Sequence, residues 1–538
     1  MSKSGSAGSA DAKSVDESTS PAHAGMVLVV LILVASTANL NLSVANIALP
    51  TIATDLDASQ TAQNLISVAF SCGLAASVLY LGAVGDRYGR KMMVIIGMSV
   101  SIPAALLAGF APSVGTLVLA RLIGGVAAGM AYPTTLSLIT ALWSGAGRTR
   151  AIAMWSGIGG GITSLGPLLA GVLLAYFSWG SVFFITVPLA VVALVMTLRY
   201  VPAHVQESTD PVDNLGGLLS VVMVITLILA INFATSSGAG AFVLSMAIVA
   251  VAATVAFVIR QRRARFPLFD LHFAGRRTFW VAAIGGLIVF GSLMGALYVG
   301  SEFVQNVLGY STIQAGAAFL PMAAAMVLVA PRSASLVAAR GSRFTLMVGF
   351  GCLAVGFLIM VALWKESSPY WEVGLAYAFV GAGVGVAGTP SSRSLTGSVP
   401  VDRVSMASGT ADLQRDLGGS IMQSVMGAFL TIGYAAVFSK MISNAPASDT
   451  AGLTSSVENQ LKQSYSSAQT VAEQTPQYAS QITAAAKESF LAGSTLAYAV
   501  GLVAVLIGAA VIWFCYPRKD VETELLAGYN LADSKSTD

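Results

Sequence analysis

Long apolar stretches separated by short polar segments dominate the pattern of this chain. A hydrocarbon core of about 30 Å requires about 20 apolar residues in each crossing helix. Stretches of that length occur fourteen times, near residues 26–49, 62–84, 92–111, 116–142, 150–176, 180–199, 215–235, 239–259, 278–303, 312–334, 344–364, 371–394, 403–439 and 491–515. The pattern therefore predicts an all-α membrane protein with fourteen transmembrane helices.

The composition agrees with a bilayer setting. Of the 538 residues, 55% are hydrophobic and only 10% are charged, whereas a soluble domain typically has about 25% charged residues. The chain contains no Gly-x-x-x-x-Gly-Lys-Ser/Thr phosphate loop, and its three histidines are not spaced for a metal or a catalytic triad. We therefore expect no enzyme activity, no cofactor and no metal.

The positive charges predict the orientation. If both termini are cytoplasmic, 22 of the 28 Lys and Arg residues fall in inner segments, four fall in outer segments and two fall within helices. Such an excess on one side follows the positive-inside rule. The net charge of +3 then describes topology and does not indicate nucleic-acid binding. We expect a multi-pass protein of the inner (cytoplasmic) membrane, in contact with the lipid bilayer.

The order of the segments predicts two similar halves with an insertion between them. The first six helices and the last six would each form one bundle around a central cavity, as in transporters built from repeats. The last two helices are separated by a long polar outer segment, 441–488, read as a cap or spacer in preference to a partner-docking element. The predicted regions are a disordered cytoplasmic tail (1–25), an N-terminal six-helix bundle (26–200), a linker with two extra transmembrane helices and a basic loop (201–277), a C-terminal six-helix bundle (278–515) and a cytoplasmic tail (516–538) that is loosely ordered from Val521 onward.

Three short motifs carry the candidate chemistry. The turn Leu81–Lys91 places four charges and three glycines between two apolar runs. The fourth predicted helix contains an arginine within its apolar run, Arg121, before Gly124-Gly125, and the fifth reads Gly159-Gly160-Gly161 with Gly166-Pro167 further on. A proline removes a backbone hydrogen bond and kinks a helix, so Gly166 and Pro167 are a predicted hinge, with ordinary close packing as the alternative.

These motifs resemble the Major Facilitator Superfamily, and the fourteen helices resemble its drug:proton antiporter branch. The resemblance implies that the Leu81–Lys91 turn is a conformational gate, in which the acid caps a neighbouring helix and pairs with arginine. The alternative is a basic retention loop at the membrane face. It also implies a proton-relay role for Arg121, which could otherwise extend to the outer interface. The predicted gate residues are Gly82, Asp86, Arg87, Gly89 and Arg90.

Two departures from the family pattern affect the mechanism. In this branch the first helix usually carries an acid, and the matching position here is Asn41, whose amide cannot carry a proton. The thirteenth helix instead has a polar stripe at helical spacing that contains Asp412, Arg415 and Asp416. We predict a role in proton coupling for this stripe, with a static ion pair between helices as the alternative. Glu302, near the outer end of the ninth helix, is an additional candidate for outer proton entry or for contact with a cation, with exposure at the interface as the alternative.

The resemblance implies a multidrug-type efflux transporter that exports amphipathic or cationic organic compounds by alternating access, in exchange for protons. We expect a monomer. An uncoupled facilitator, or one that exports a lipid or metabolite, is an alternative, and a transporter-like sensor or scaffold that works through segment 441–488 is an alternative of another class. Position and polarity predict that Asn41, Asn46, Tyr132, Gln305, Asp412 and Asp416 line the cavity.

Overall fold

The computed structural model describes residues 21, 23–58, 60–203, 205, 210–234, 239–445 and 454–537. These residues form helices and connecting loops, with no strand among them. In chain order the α-helices are α1 (Ala24–Asp55), α2 (Gln60–Tyr88), α3 (Arg90–Gly109), α4 (Val114–Leu142), α5 (Gly145–Tyr176), α6 (Ser181–Phe184), α7 (Thr186–Tyr200), α8 (Asn214–Phe233), α9 (Gly240–Arg263), α10 (Leu271–Ala274), α11 (Arg277–Asn306), α12 (Thr312–Ala317), α13 (Leu320–Leu363), α14 (Tyr370–Gly397), α15 (Val404–Asn444), α16 (Ser455–Gln463), α17 (Tyr465–Gln474), α18 (Ala479–Cys515) and α19 (Lys519–Thr537).

The described residues contain thirteen helical segments that are long and apolar enough to cross a membrane. One of them, Ile313–Leu363, has 51 residues and would be roughly 75 Å long as one helix, too long for a single crossing. Gly341 breaks it with φ 84° and ψ 168°, a left-handed backbone conformation that glycine adopts without steric cost. The segment therefore crosses twice, and the fourteen-helix prediction is confirmed.

Helices α1–α7 pack as one half and α11–α18 as the other. The most extensive contacts between the halves are those of α5 with α13 and of α2 with α15, and α4 also contacts α15. Glycines allow the first pair to approach closely, since a Cβ at Gly157 would lie 2.2 Å from the Ala330 Cβ. In the second pair, Gly409 of α15 lies against Leu79 of α2.

The two additional helices, α8 and α9, lie beside the seam between α2 and α15. Helix α8 contacts both of these helices, while α9 packs on α8 and has a largely exposed apolar surface. The Tyr80 hydroxyl of α2 donates to Asn214 at 2.9 Å, and the Ser424 hydroxyl of α15 donates to the Ile231 carbonyl at 3.0 Å. Helix α8 is thus bonded to both halves.

The loops rich in arginine gather at one end of the bundle, which we call the basic face. It includes the turns near Arg90, Arg276 and Arg403. Both described ends of the chain lie there, because His23 packs on Tyr200 at the end of α7 and α19 packs against α13 beside Gly341.

The C-terminal residues form the helix α19, which corrects the expectation of a loosely ordered tail. The buried Glu522 carboxylate accepts hydrogen bonds from the Ser342 amide at 3.1 Å and the Ser342 hydroxyl at 2.6 Å. Asp533 pairs with Arg276 at 2.5 Å. Burial raises the pKa of Tyr516, with the charge of Glu522 adding to the effect, so the phenol is protonated at neutral pH and donates to Glu522 at 3.3 Å.

The described part of the long outer segment is also helical. Leu461, Ala468 and Val471 of α16 and α17 are buried, and the Tyr434 hydroxyl of α15 donates to the Leu461 carbonyl at 3.1 Å. These helices form a cap over the ends of α15 and α18.

Candidate functional site

A cavity of about 210 Å³ lies between the two halves. Its walls come from helices of both halves and from α8. The polar and aromatic lining residues are Asn39, Ser43, Ser67, Ser71, Tyr132, Ser156, Thr163, Asn232, Phe290, Tyr298, Ser301, Phe319, Asp412, Arg415, Asp416, Ser420 and Gln423. The mixture of aromatic, hydroxyl and charged groups in an apolar frame is typical of a site for organic small molecules.

The cavity is closed toward the basic face by hydrogen bonds between the halves. The Ser405 hydroxyl at the start of α15 donates to the Asp86 carboxylate at 2.6 Å. The Ser137 hydroxyl of α4 donates to Ser408 at 3.0 Å and lies 3.1 Å from the Ser405 hydroxyl. These contacts lie between the cavity and the basic face.

The predicted gate residues surround this closure. Asp86 and Arg90 are both buried and form an ion pair at 2.8 Å, and Arg90 also donates to the Val401 carbonyl of the other half at 3.1 Å. Gly82 packs on Ser405, and Gly89 has φ 118° where α2 gives way to α3. Arg87 lines a small cavity at the basic face that also contains Asp210, Asp402 and Arg403.

Asp412 and Asp416 are held in the cavity wall without full hydrogen bonding. Neither carboxylate oxygen of Asp412 has a hydrogen-bond partner, nor does Oδ2 of Asp416. A buried ionised carboxylate without partners costs several kcal/mol, so such a group favours protonation or water. Both lie on α15, the helix whose first turn holds the gate contacts.

Arg415, between the two acids in sequence, is packed against aromatic rings. Its guanidinium carbon lies 4.5 Å from the centroid of Phe290, 4.9 Å from that of Trp155 and 5.5 Å from that of Tyr132. Tyr132 and Trp155 stack on each other with centroids 5.6 Å apart. Phe290 and Trp155 are not among the predicted site residues, although a tryptophan amid the small residues of α5 was an available signal.

Arg121 finds its partners in main-chain groups away from the cavity lining. It donates to the Asn41 carbonyl at 2.6 Å and lies 4.7 Å from the Phe70 centroid. Its second terminal nitrogen, Nη2, is buried without a hydrogen-bond partner. The arginine thus ties α4 to α1 at Asn41.

The structure corrects two predicted lining residues. The Asn41 amide donates within its own helix to the Thr37 carbonyl, and the Gln305 amide to the Ser301 carbonyl; neither lines the cavity. Tyr132 does line it, with its hydroxyl buried and unpartnered. The side chain of Asn46 lies outside what the structure describes.

Glu302 and the predicted hinge lie at the edges of the same cavity. Glu302 lies one helical turn after Tyr298 on α11, and Tyr298 lines the cavity. Pro167 lines the opposite wall, and helix α5 continues through it. At Gly166 a Cβ would lie 2.0 Å from the Ser43 hydroxyl oxygen, so α1 and α5 are in close contact there.

Comparison with known proteins places this geometry in a family. The family model described as Major Facilitator Superfamily matches residues 31–423. The multidrug efflux pump LfrA of Mycolicibacterium smegmatis is 31% identical over 501 residues, covering 93% of this chain and 97% of LfrA. The multidrug resistance protein Stp of Mycobacterium tuberculosis is 30% identical, covering 72% of each chain. The methyl viologen resistance protein SmvA of Salmonella typhimurium is 26% identical, covering 76% of this chain and 83% of SmvA.

Solved structures show the same fold. The human organic anion transporter MFSD10 superposes with a TM-score of 0.57 at 15% identity, covering 91% of this chain and 100% of that one. A bacterial homolog of the human lysosomal transporter Spinster, in an inward-facing and unoccupied conformation, gives a TM-score of 0.56 at 14% identity, covering 94% and 98%. The family model matches most of the chain, and LfrA aligns with 93% of it at 31% identity. The chain is therefore a transporter that belongs to the Major Facilitator Superfamily.

Proposed function

We propose that this transporter exports amphipathic or cationic organic compounds across the inner membrane by alternating access, in exchange for protons. The basic face and both chain termini are then cytoplasmic, as the positive-inside rule requires. Relatives named as multidrug efflux and resistance proteins support the substrate class. In this assignment the structure corresponds to a state that is closed toward the cytoplasm.

The observation that carries the proposal is the incomplete hydrogen bonding of Asp412 and Asp416 in the wall of the central cavity. A static ion pair between helices would satisfy these oxygens with a cation, but Arg415 is placed on aromatic rings instead. Carboxyl groups in such a site can be protonated from one side and deprotonated toward the other as access alternates.

The closure at the basic face supplies the second requirement of alternating access. Asp86 accepts a hydrogen bond from Ser405 of the other half, and Arg90 donates one to the Val401 carbonyl of that half. Breaking these bonds would let the two halves separate on this side. A bistable contact of this kind can bias two states by a few kcal/mol.

The test is substrate-driven proton flux in vesicles reconstituted with the full chain. A gradient of methyl viologen or tetraphenylphosphonium should drive protons the opposite way, and Asp412→Asn or Asp416→Asn should abolish that flux while ligand binding persists. Asp520→Asn, an exposed acid on α19, is the matched control and should behave as wild type. Retained flux in both cavity variants would refute the assigned coupling residues.

Asn41 supports an uncoupled or lipid-exporting facilitator as a second candidate. It replaces the usual acid of the first helix, and its carbonyl is bonded to Arg121. In the same vesicles, substrate movement without proton flux would favour this candidate. If no substrate moves in these vesicles, the result would instead favour a sensor or scaffold.

A further inference from the structure

The aromatic rings around Arg415 form a box for a positive charge. Phe290 comes from α11 of one half, while Tyr132 and Trp155 come from α4 and α5 of the other. The Trp155 indole is held in place because its Nε1 donates to the Thr135 hydroxyl at 2.9 Å. One side of the box, formed by Tyr132 and Trp155, therefore belongs to the N-terminal half, and the other side, formed by Phe290, belongs to the C-terminal half.

The charge in this box is not neutralised by hydrogen bonding to the neighbouring acids. Nε of Arg415 is buried without a hydrogen-bond partner, and so are both oxygens of Asp412. Arg415 and Asp416 interact electrostatically, yet the guanidinium lies on the ring faces. Aromatic faces attract organic cations as well as arginine, and the attraction is strongest where water is excluded.

The box is accessible from the cavity. Tyr132, Phe290 and Arg415 all line it, and Trp155 stacks behind Tyr132. A ligand in the cavity would meet the open edges of the same rings that Arg415 covers. Asp412 precedes Arg415 by three residues on α15, so the two side chains share a helix face, and a displaced guanidinium would have an unpartnered carboxylate within reach.

We propose that this box is the binding site for the cationic group of an organic substrate, and that Arg415 occupies it as a built-in substitute until the substrate displaces it. The inference rests on the proposed function, because it names the substrate group and its place within the same cavity. Its particular content is competition between Arg415 and the ligand for Phe290, Trp155 and Tyr132.

Competition makes a distinctive prediction for a double-mutant cycle. In the wild type, Phe290→Leu weakens the hold of the box on both Arg415 and the ligand, so the two losses largely cancel and Kd should change less than about threefold. In an Arg415→Met background the box is free, and the same Phe290→Leu substitution should weaken tetraphenylphosphonium binding by about tenfold. Arg415→Met alone should tighten binding.

The experiment is equilibrium binding of tetraphenylphosphonium and of uncharged triphenylphosphine oxide to the purified full chain. The cycle should show coupling for the cation and little for the neutral probe. Phe303→Leu, on the same helix but buried outside the cavity lining, is the control and should leave Kd unchanged. If Arg415→Met does not fold, Arg415→Lys serves as the second background, because its ammonium covers less of the rings.

An equal effect of Phe290→Leu in both backgrounds would overturn the inference, because removal of a positive charge alone would then explain any gain in affinity. The same holds if the neutral probe shows the same coupling as the cation. Failure of the proposed function would be a separate result. In that case the double-mutant cycle would still show the expected coupling in binding, while the vesicles would show no proton-driven movement of the cation.

Discussion

The closure at the basic face depends on Asp86, and replacing it with asparagine should open that face. Two hydrogen bonds join the halves at this point, one from Ser405 to Asp86 and one from Arg90 to the Val401 carbonyl. The ion pair between Asp86 and Arg90 lies within one half, so it orients both groups without itself joining the halves.

The size of the effect follows from the charge of these partners. A hydrogen bond to a charged group contributes about 1.5–3 kcal/mol, and one between neutral groups about 0.5–1.5 kcal/mol. Asp86→Asn makes the bond from Ser405 neutral and removes the group that orients Arg90. We expect a loss of about 1.5–3 kcal/mol, which is a shift of roughly 10- to 150-fold toward the state open at the basic face.

A cysteine at Ser137 would report this opening. Ser137 is buried where the halves meet and contacts Ser405 and Ser408. In a background in which the three native cysteines are replaced, Ser137→Cys should react slowly with a polar maleimide. Adding Asp86→Asn should raise the labelling rate by at least tenfold, in line with the estimated shift.

Asp402→Asn is the matched control for this assay. Its side chain is 52% exposed and lies 3.9 Å from Arg403 on the same face, and such surface pairs contribute little. Equal labelling rates in Asp86→Asn and Asp402→Asn would refute the reasoning. A second variant that combines Asp86→Asn with Arg90→Gln leaves no unpaired buried cation, and should show the same opening if the effect is not local unfolding.

Two further predictions concern packing and the C-terminal helix. Gly157→Ala should impair transport and lower the free energy of unfolding by about 1–3 kcal/mol, because the new methyl group overpacks against α13. Gly159→Ala is the control, because its Cβ would meet its nearest atom at 3.5 Å, and it should have neither effect. Equal melting curves for the two variants would contradict this prediction. Glu522→Gln should weaken the hydrogen bonds to Ser342 and destabilise α19 by about 1.5–3 kcal/mol, which should be seen as faster proteolysis of the C-terminus. Glu524 is exposed, so Glu524→Gln is the control and should have no effect. Unchanged cleavage in both variants would contradict this prediction.

The number of helices could be predicted from the sequence because bilayer thickness fixes the length of each crossing. The one segment that merges two crossings is broken at Gly341, where the predicted polar loop lies. The placement of Asp412, Arg415 and Asp416 in the cavity could be predicted for a similar reason. Several polar residues at helical spacing on α15 define a face.

A single polar residue in an apolar helix does not define which face of the helix points into the cavity. Asn39 and Asn41 are two positions apart, which is about 200° around a helix, so they point to nearly opposite sides. The sequence does not say which side faces the cavity, and the structure places Asn39 there and Asn41 away from it. The partners of Arg121 are main-chain carbonyls of other helices, which residue types do not encode.

The aromatic box and the C-terminal helix were missed because both depend on contacts between distant parts of the chain. Tyr132, Trp155 and Phe290 come from three helices, and only the packed structure brings their rings around one guanidinium. Helix α19 is polar overall and is held by the insertion of Glu522 beside Ser342. Ser342 directly follows the break in α13 and precedes Glu522 by 180 residues.

Helix α8 has a consequence for how the molecule could change shape. It is attached near its first residue to one half, through Asn214 and Tyr80, and near its last turn to the other, through Ile231 and Ser424. If α8 stays rigid, rotation of one half against the other cannot preserve both attachments. One of the two hydrogen bonds would then break, and α8 would tilt about the end that stays attached. Because Asn232 near its last turn forms part of the cavity wall, release at that end would open the wall of the cavity beside α8, on the side where α9 packs.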